Sequence, residues 1–202
     1  MKSPQRTRPP QHAGELEEIV LADQHGEPMR LGDLWADRPA VLVFLRHYGC
    51  VFCRHLATQL HHHRDKFEAQ GLRLAVIGQG TPAHAREFQR DQSVDLPLLV
   101  DERRAAYRAA GTKTATLGEV FGPRSLARGA RWTVTSRIRQ GSIAVHQSKT
   151  IGGTTGQLGG VLIVAPDSSV RYAHLSEISG DDPPVAEVLA AAKAIRPHLN
   201  SH

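Results

Sequence analysis

The sequence predicts an α/β fold: a central mixed sheet flanked by helices, with an N-terminal β-hairpin and an irregular basic insert. Three observations carry that prediction. Between residues 41 and 110, apolar runs of strand length alternate with segments of helical period, which implies parallel strands joined by helical crossovers. From Gly159 to Ile195 the pattern reads strand, turn, strand, helix, which adds an antiparallel edge. The apolar run Val41-Leu42-Val43-Phe44-Leu45 passes through the polar turn Arg46-His47-Tyr48-Gly49 and delivers Cys50 and Cys53 where a helical pattern starts.

Taken in order, residues 1–13 are polar and proline-rich and read as a disordered arm, with one domain expected over 14–202. Glu18 to Leu21 and Glu27 to Leu31 form two strands of a hairpin around the turn Asp23-Gln24-His25-Gly26. Leu31 to Trp35 makes one helical turn that ends near Pro39, and the central strand follows at 41–45. Beyond the cysteines, Phe52, Leu56, Leu60 and Phe67 share one side of a helix that Gly71 ends. Leu72 to Gly78 is the next strand. Thr81 and Pro82 stand as N-cap and first residue of a helix that runs to about Gln92. Leu96 to Asp101 is a strand, and 102–110 a short helix stopped by Gly111. The insert, about 111–158, is rich in Gly, Thr, Ser and Arg, with one amphipathic helix expected around 123–138. Gly159 to Val164 and Val170 to His174 pair around Pro166-Asp167-Ser168-Ser169, and 185–195 is the last helix.

Composition narrows the function. A chain of 202 residues suits one aliphatic core. Its formal charge of +5 favours anionic small molecules or an acidic partner. It does not indicate nucleic acid, because no base-stacking motif or recognition helix accompanies it. The N-terminus lacks an apolar signal region, and no apolar run approaches a membrane span, so a cytoplasmic protein is expected.

The only two cysteines, Cys50 and Cys53, are separated by two residues. That spacing is not a secreted disulfide framework. It is not a zinc site either, since no second CxxC exists and the histidine spacing fits no finger pattern. At a strand-to-helix junction, backbone N–H groups and the helix dipole favour thiolate over thiol, so the reading is a redox or nucleophilic thiol site. Arg46 and Arg54 flank the thiols as permanent cations, expected to lower a thiol pKa and attract an anion. His47 is a candidate local acid or base. His61-His62-His63 cannot share one ion on a helix, because neighbouring side chains point about 100° apart. Gly159-Gly160 marks a close backbone approach beside the site rather than a phosphate cradle, because no helix follows it.

Three stretches then resemble a known group. Phe44-Leu45-Arg46-His47-Tyr48-Gly49-Cys50-Val51-Phe52-Cys53-Arg54 is similar to the F-x-R-x-x-G-C-x-x-C-R pattern of the thioredoxin-like AhpC/TSA superfamily, in its peroxiredoxin-like branch that includes prostamide/prostaglandin F synthase. Asp101 to Tyr107 resembles that branch's D-x-x-R-x-x-Y element. Gln157 to Val164, with the His174 strand and Gly180-Asp181, resembles its closing L-G-G-V block. The resemblance implies a thioredoxin-like fold over roughly 15–195. The chain departs from ordinary peroxiredoxins in having Cys50 at their Thr position when Cys53 is the aligned nucleophile.

The resemblance implies a thiol-dependent oxidoreductase that reduces a peroxide, endoperoxide or similar small oxidised substrate through a Cys50–Cys53 disulfide. No bound cofactor or metal is expected, only an external thiol reductant such as thioredoxin. In a thioredoxin-type arrangement Cys50 is the exposed attacker and Cys53 resolves; in the peroxiredoxin alignment Cys53 attacks. We favour Cys50 as the more accessible sulfur. Peroxiredoxins also use a later arginine, for which Arg124, Arg128 and Arg131 are candidates. Self-association as a homodimer stays open. Two other readings remain: a biosynthetic enzyme using the same thiols on one metabolite, and a non-catalytic redox sensor or adaptor with the basic insert as docking surface.

Overall fold

The computed structural model describes residues 7–115 and 156–195. Seven strands form one sheet in the order β2-β1-β5-β4-β3-β6-β7. These are β1 (Val20–Asp23), β2 (Pro28–Arg30), β3 (Ala40–Phe44), β4 (Arg73–Gly78), β5 (Leu98–Val100), β6 (Gly160–Val164) and β7 (Val170–Leu175). β3, β4 and β5 are parallel, while β6 joins β3 antiparallel and pairs with β7 as a hairpin. The β1–β2 hairpin closes the opposite edge through an antiparallel β1–β5 pair. The helices are α1 (Gly14–Glu17), α2 (Val51–His62), α3 (Arg64–Glu68), α4 (Pro82–Gln92), α5 (Ala105–Ala109) and α6 (Val185–Ile195). A 3-10 turn spans Leu31–Leu34. The expected mixed, helix-flanked sheet is therefore what the chain forms.

Both faces of the sheet are covered, which explains why its central strands read as continuous apolar runs. Val41, Val43 and Leu45 turn to one face and pack with Leu56 and Leu60 of α2, Phe88 of α4, and Val188 and Ala192 of α6. Ala40, Leu42 and Phe44 turn to the other, against Leu16, Leu34, Trp35 and Tyr107.

Two expectations need correction, and one element is added to those expected. The arm expected to be disordered over 1–13 is held to the body from Thr7 onward. Thr7 hydrogen-bonds Glu177, Arg8 N–H donates to the Gly111 carbonyl at 3.3 Å, and Ala13 N–H to the Ser168 carbonyl at 2.7 Å. The helix expected to run unbroken to Gly71 is interrupted at His63, whose backbone leaves helical geometry and whose Nδ1 lies 3.0 Å from the Gln59 carbonyl. α1 was not expected, since it is four residues long and buries only Leu16. By contrast, α4 starts where Thr81-Pro82 places it, with the Thr81 N–H donating to His84 Nδ1 at 3.1 Å. The helix expected around 123–138 lies outside the described residues.

Candidate active site

β3 ends at Phe44, and the chain turns through Leu45 to Gly49 onto α2. The turn is fixed by the backbone bond from Leu45 N–H to the Ile77 carbonyl (2.8 Å) and that from Cys50 N–H to the His47 carbonyl (3.1 Å). Tyr48 swings beneath it, donating its hydroxyl to the Leu99 carbonyl at 2.8 Å. Its ring occupies the space over Gly78, where a Cβ would lie 2.4 Å from the ring. Cys50 is consequently the N-cap of α2, with extended backbone, and its carbonyl accepts the Arg54 N–H at 3.0 Å. Cys53 falls in the first helical turn.

Both cysteines are free thiols, 5% and 2% exposed. Cys50 is the more accessible of the two, but it is not the exposed attacker expected from the sequence. The reason is a cover drawn from distant segments. The Arg46 side chain folds over the helix start, donating from Nη1 to the Ser179 hydroxyl and from Nε to the Gln157 carbonyl, with Nη1 3.9 Å from Cys50 Sγ. The turn from Ser176 to Asp182 lies over it, and Gly180 sits against the Phe52 ring. That turn is held by Ser176 N–H on the Gly159 carbonyl at 3.0 Å and by the ion pair of Lys113 with Glu177 at 2.6 Å.

The two sulfurs are driven in opposite directions. Cys50 is brought down to about 7, first by a hydrogen bond from the Cys53 thiol and then by the Arg46 charge, against the cost of burial. Cys53 is pushed well above the ordinary thiol value by burial and by its bond and charge interaction with Cys50. Only the Arg46 backbone N–H, 3.2 Å from Cys53 Sγ, works the other way. The sulfur at the helix tip is thus the readier of the two to lose its proton, and the one a helical turn inside holds its proton more firmly.

Of the other residues singled out from the sequence, Arg46 meets the sulfurs directly. Arg54 is buried and donates from Nε to the Tyr48 carbonyl at 3.5 Å. Its charge acts on His47 rather than standing among the main influences on Cys50. His47 is buried with Nδ1 unpartnered among the described residues, and burial followed by the Arg46 and Arg54 charges lowers it to about 4. It is therefore neutral near pH 7 and adds no charge to the site. Gly159 is the close approach its pattern indicates: a Cβ there would lie 2.0 Å from the Phe44 carbonyl oxygen. Arg124, Arg128 and Arg131 lie outside the described residues.

Sequence reasoning passed over Ser179, Gln79 and Asp182, and took Gln157 only as the start of the L-G-G-V block. Gln79 donates its amide to the Arg46 carbonyl, and Asp182 is a carboxylate whose charge raises both sulfurs. No local motif marks Ser179 or Gln79, and Asp182 only follows the Gly180-Asp181 pair of the resembling stretch. Asp182 also lines a cavity of about 400 Å³ along α2, walled by Phe52, His55, Gln59 and His63 on one side and Pro183 and Pro184 on the other.

Several known proteins are similar to this chain. The family model described as AhpC/TSA antioxidant enzyme matches residues 59–177, beginning just past the dithiol. The chain is similar to the Arabidopsis thaliana thioredoxin-like protein AAED1, chloroplastic, at 30% identity over 90% of this chain and 73% of that one. It is 31% identical to the prostamide/prostaglandin F synthase of Salmo salar, over 85% of this chain and 83% of that one. Among solved structures, the peroxidoxin BcpB of Mycobacterium tuberculosis superposes with a TM-score of 0.63 at 21% identity, covering 88% of this chain and 92% of that one. At that identity the match speaks for the fold, a thioredoxin-like one shared with peroxiredoxins.

Proposed function

The chain belongs to the AhpC/TSA antioxidant-enzyme family, and from that premise we propose that it is a thiol-dependent peroxidase or reductase that works through a Cys50–Cys53 disulfide. The observation that carries the reading is the geometry of the dithiol: Cys50 at the N-cap of α2 with Arg46 Nη1 3.9 Å from its sulfur, and Cys53 in the first turn, an arrangement that favours loss of the proton from Cys50 and its retention on Cys53.

The Cys50 thiolate attacks one oxygen of a peroxide. The S–O bond forms as the O–O bond breaks, and the departing alkoxide takes a proton and leaves as the alcohol. Cys50 is now a sulfenic acid. Cys53 loses its proton and attacks the Cys50 sulfur; the S–S bond forms, and hydroxide leaves with that proton as water. An external dithiol of the thioredoxin type returns both sulfurs to thiols and is itself oxidised. An endoperoxide would give two hydroxyl groups by the same two-electron balance. The Arg46 guanidinium stabilises negative charge on sulfur before attack and on the departing oxygen during it. Access requires the Ser176–Asp182 turn or the Arg46 side chain to move, since both lie over Cys50. The cavity beside α2 falls in the roughly 300–1,000 Å³ range of small-molecule sites and suits the organic part of a substrate.

The test is intact-mass spectrometry after hydrogen peroxide or an organic hydroperoxide. The wild-type chain should lose two hydrogens. Cys53→Ser should stop at addition of one oxygen, trappable by a sulfenic-acid reagent, and Cys50→Ser should not react. Reaction of Cys50→Ser with Cys53→Ser silent would reverse the roles, and an unchanged wild-type mass would refute the reading.

A specialised biosynthetic role is the second reading, favoured by the name of the Salmo salar relative. Turnover of one metabolite at rates far above those with simple peroxides would establish it.

A further inference from the structure

The peptide group that joins Leu45 to Arg46 has both its ends occupied. Its N–H, from Arg46, donates to Cys53 Sγ at 3.2 Å. Its carbonyl, from Leu45, lies 2.5 Å from the Tyr107 hydroxyl. The same hydroxyl is 3.1 Å from the Ile77 carbonyl, and the much nearer Leu45 oxygen takes the phenolic proton. The result is a continuous path: Tyr107 O–H to the Leu45 carbonyl, across one peptide bond, and Arg46 N–H to the Cys53 sulfur. A donor at a peptide carbonyl polarises that peptide and strengthens its N–H as a donor.

The hydroxyl is built to hold this position. Tyr107 is 1% exposed, and burial pushes its hydroxyl far above its ordinary value, so it stays a donor throughout the working range. It stands on α5, too short to be stable alone, which the buried Asp101 carboxylate secures by accepting the N–H groups of Ala105, Ala106 and Tyr107. Its ring meets Phe44 edge-on at 5.5 Å. The next peptide carbonyl, that of Arg46, is held by the Gln79 amide.

We infer that Tyr107 is a positioning residue for the second sulfur: through the Leu45–Arg46 peptide it aims and strengthens the N–H that stabilises Cys53 as a thiolate. It acts on Cys53 and not on Cys50, whose main partners are the Cys53 thiol and Arg46. The inference rests on the dithiol reading only in taking Cys53 as a working sulfur.

The experiment is alkylation against pH in the absence of any oxidant, so its failure is separable from failure of the peroxidase reading. In a Cys50→Ser background, Tyr107→Phe should raise the Cys53 midpoint by about half a pH unit, roughly a threefold loss of thiolate at fixed pH. In a Cys53→Ser background the same substitution should leave the Cys50 midpoint in place. A fluorinated tyrosine installed at position 107 keeps the ring and strengthens the donor, and should move Cys53 the opposite way. A merely structural tyrosine would lower thermal stability on Tyr107→Phe without separating the two sulfurs. Equal shifts at both sulfurs, or no shift of Cys53 with the fluorinated residue, would overturn the inference.

Discussion

His47 lies on the turn that leads to the sulfurs, within reach of the Arg46 and Arg54 charges, yet it carries no charge near pH 7. Burial, then Arg46 and Arg54, hold it at about 4, against 6.5 for a free imidazole. Between those values the unfolded chain takes up a proton that the folded chain refuses. The contribution to stability is therefore complete above about pH 6.5 and is lost as pH falls toward 4, amounting to roughly 3 kcal/mol. Urea unfolding of His47→Gln across this interval should show a flatter pH dependence than wild type; an unchanged slope would mean His47 protonates freely in the fold. Spacing and charge alone bring Arg46, Cys50 and Cys53 forward as candidates, and the fold places the three together. What spacing does not carry is the difference between Arg46 and Arg54, both near the thiols in sequence. One folds over Cys50 Sγ, while the other donates to the Tyr48 carbonyl and acts on His47.

Elements were legible where local chemistry sets the boundary. Thr81-Pro82 opens α4, and Gly71, with φ +78°, closes the segment after α3. The break at His63 has no proline or glycine to announce it, and α1 contributes a single buried residue, so neither has a strong signal. β6 reaches its place against β3 because Gly159 lets the two backbones approach. A Cβ there would lie 2.0 Å from the Phe44 carbonyl oxygen and 3.5 Å from the Arg46 nitrogen, which donates to Cys53. Gly159→Ala should therefore cost about 1–3 kcal/mol, read as a lowered midpoint of thermal unfolding, and should also raise the pH at which Cys53 alkylates. Loss of stability with the Cys53 midpoint unmoved would show that β3 and β6 part without disturbing the Arg46 peptide.

Across the whole molecule, the site is assembled from places far apart in the chain. β3 and α2 supply the sulfurs, α5 supplies Tyr107 and, through Lys113 just beyond it, an anchor for Glu177, and the turn after β7 supplies the cover. This is why the sulfurs' burial was not legible: Ser179 and Gln157 reach Arg46 only once the sheet order has brought β6 beside β3. It also sets what the fold must accomplish, a thiolate kept under cover beside a thiol kept neutral. Alkylation of each cysteine as a function of pH, resolved by peptide mass spectrometry on the reduced full-length chain, tests this most directly. The account predicts that Cys50 titrates near pH 7 and that Cys53 titrates well above the ordinary thiol value of 9. Two sulfurs titrating together near 9, or Cys53 below Cys50, would contradict it.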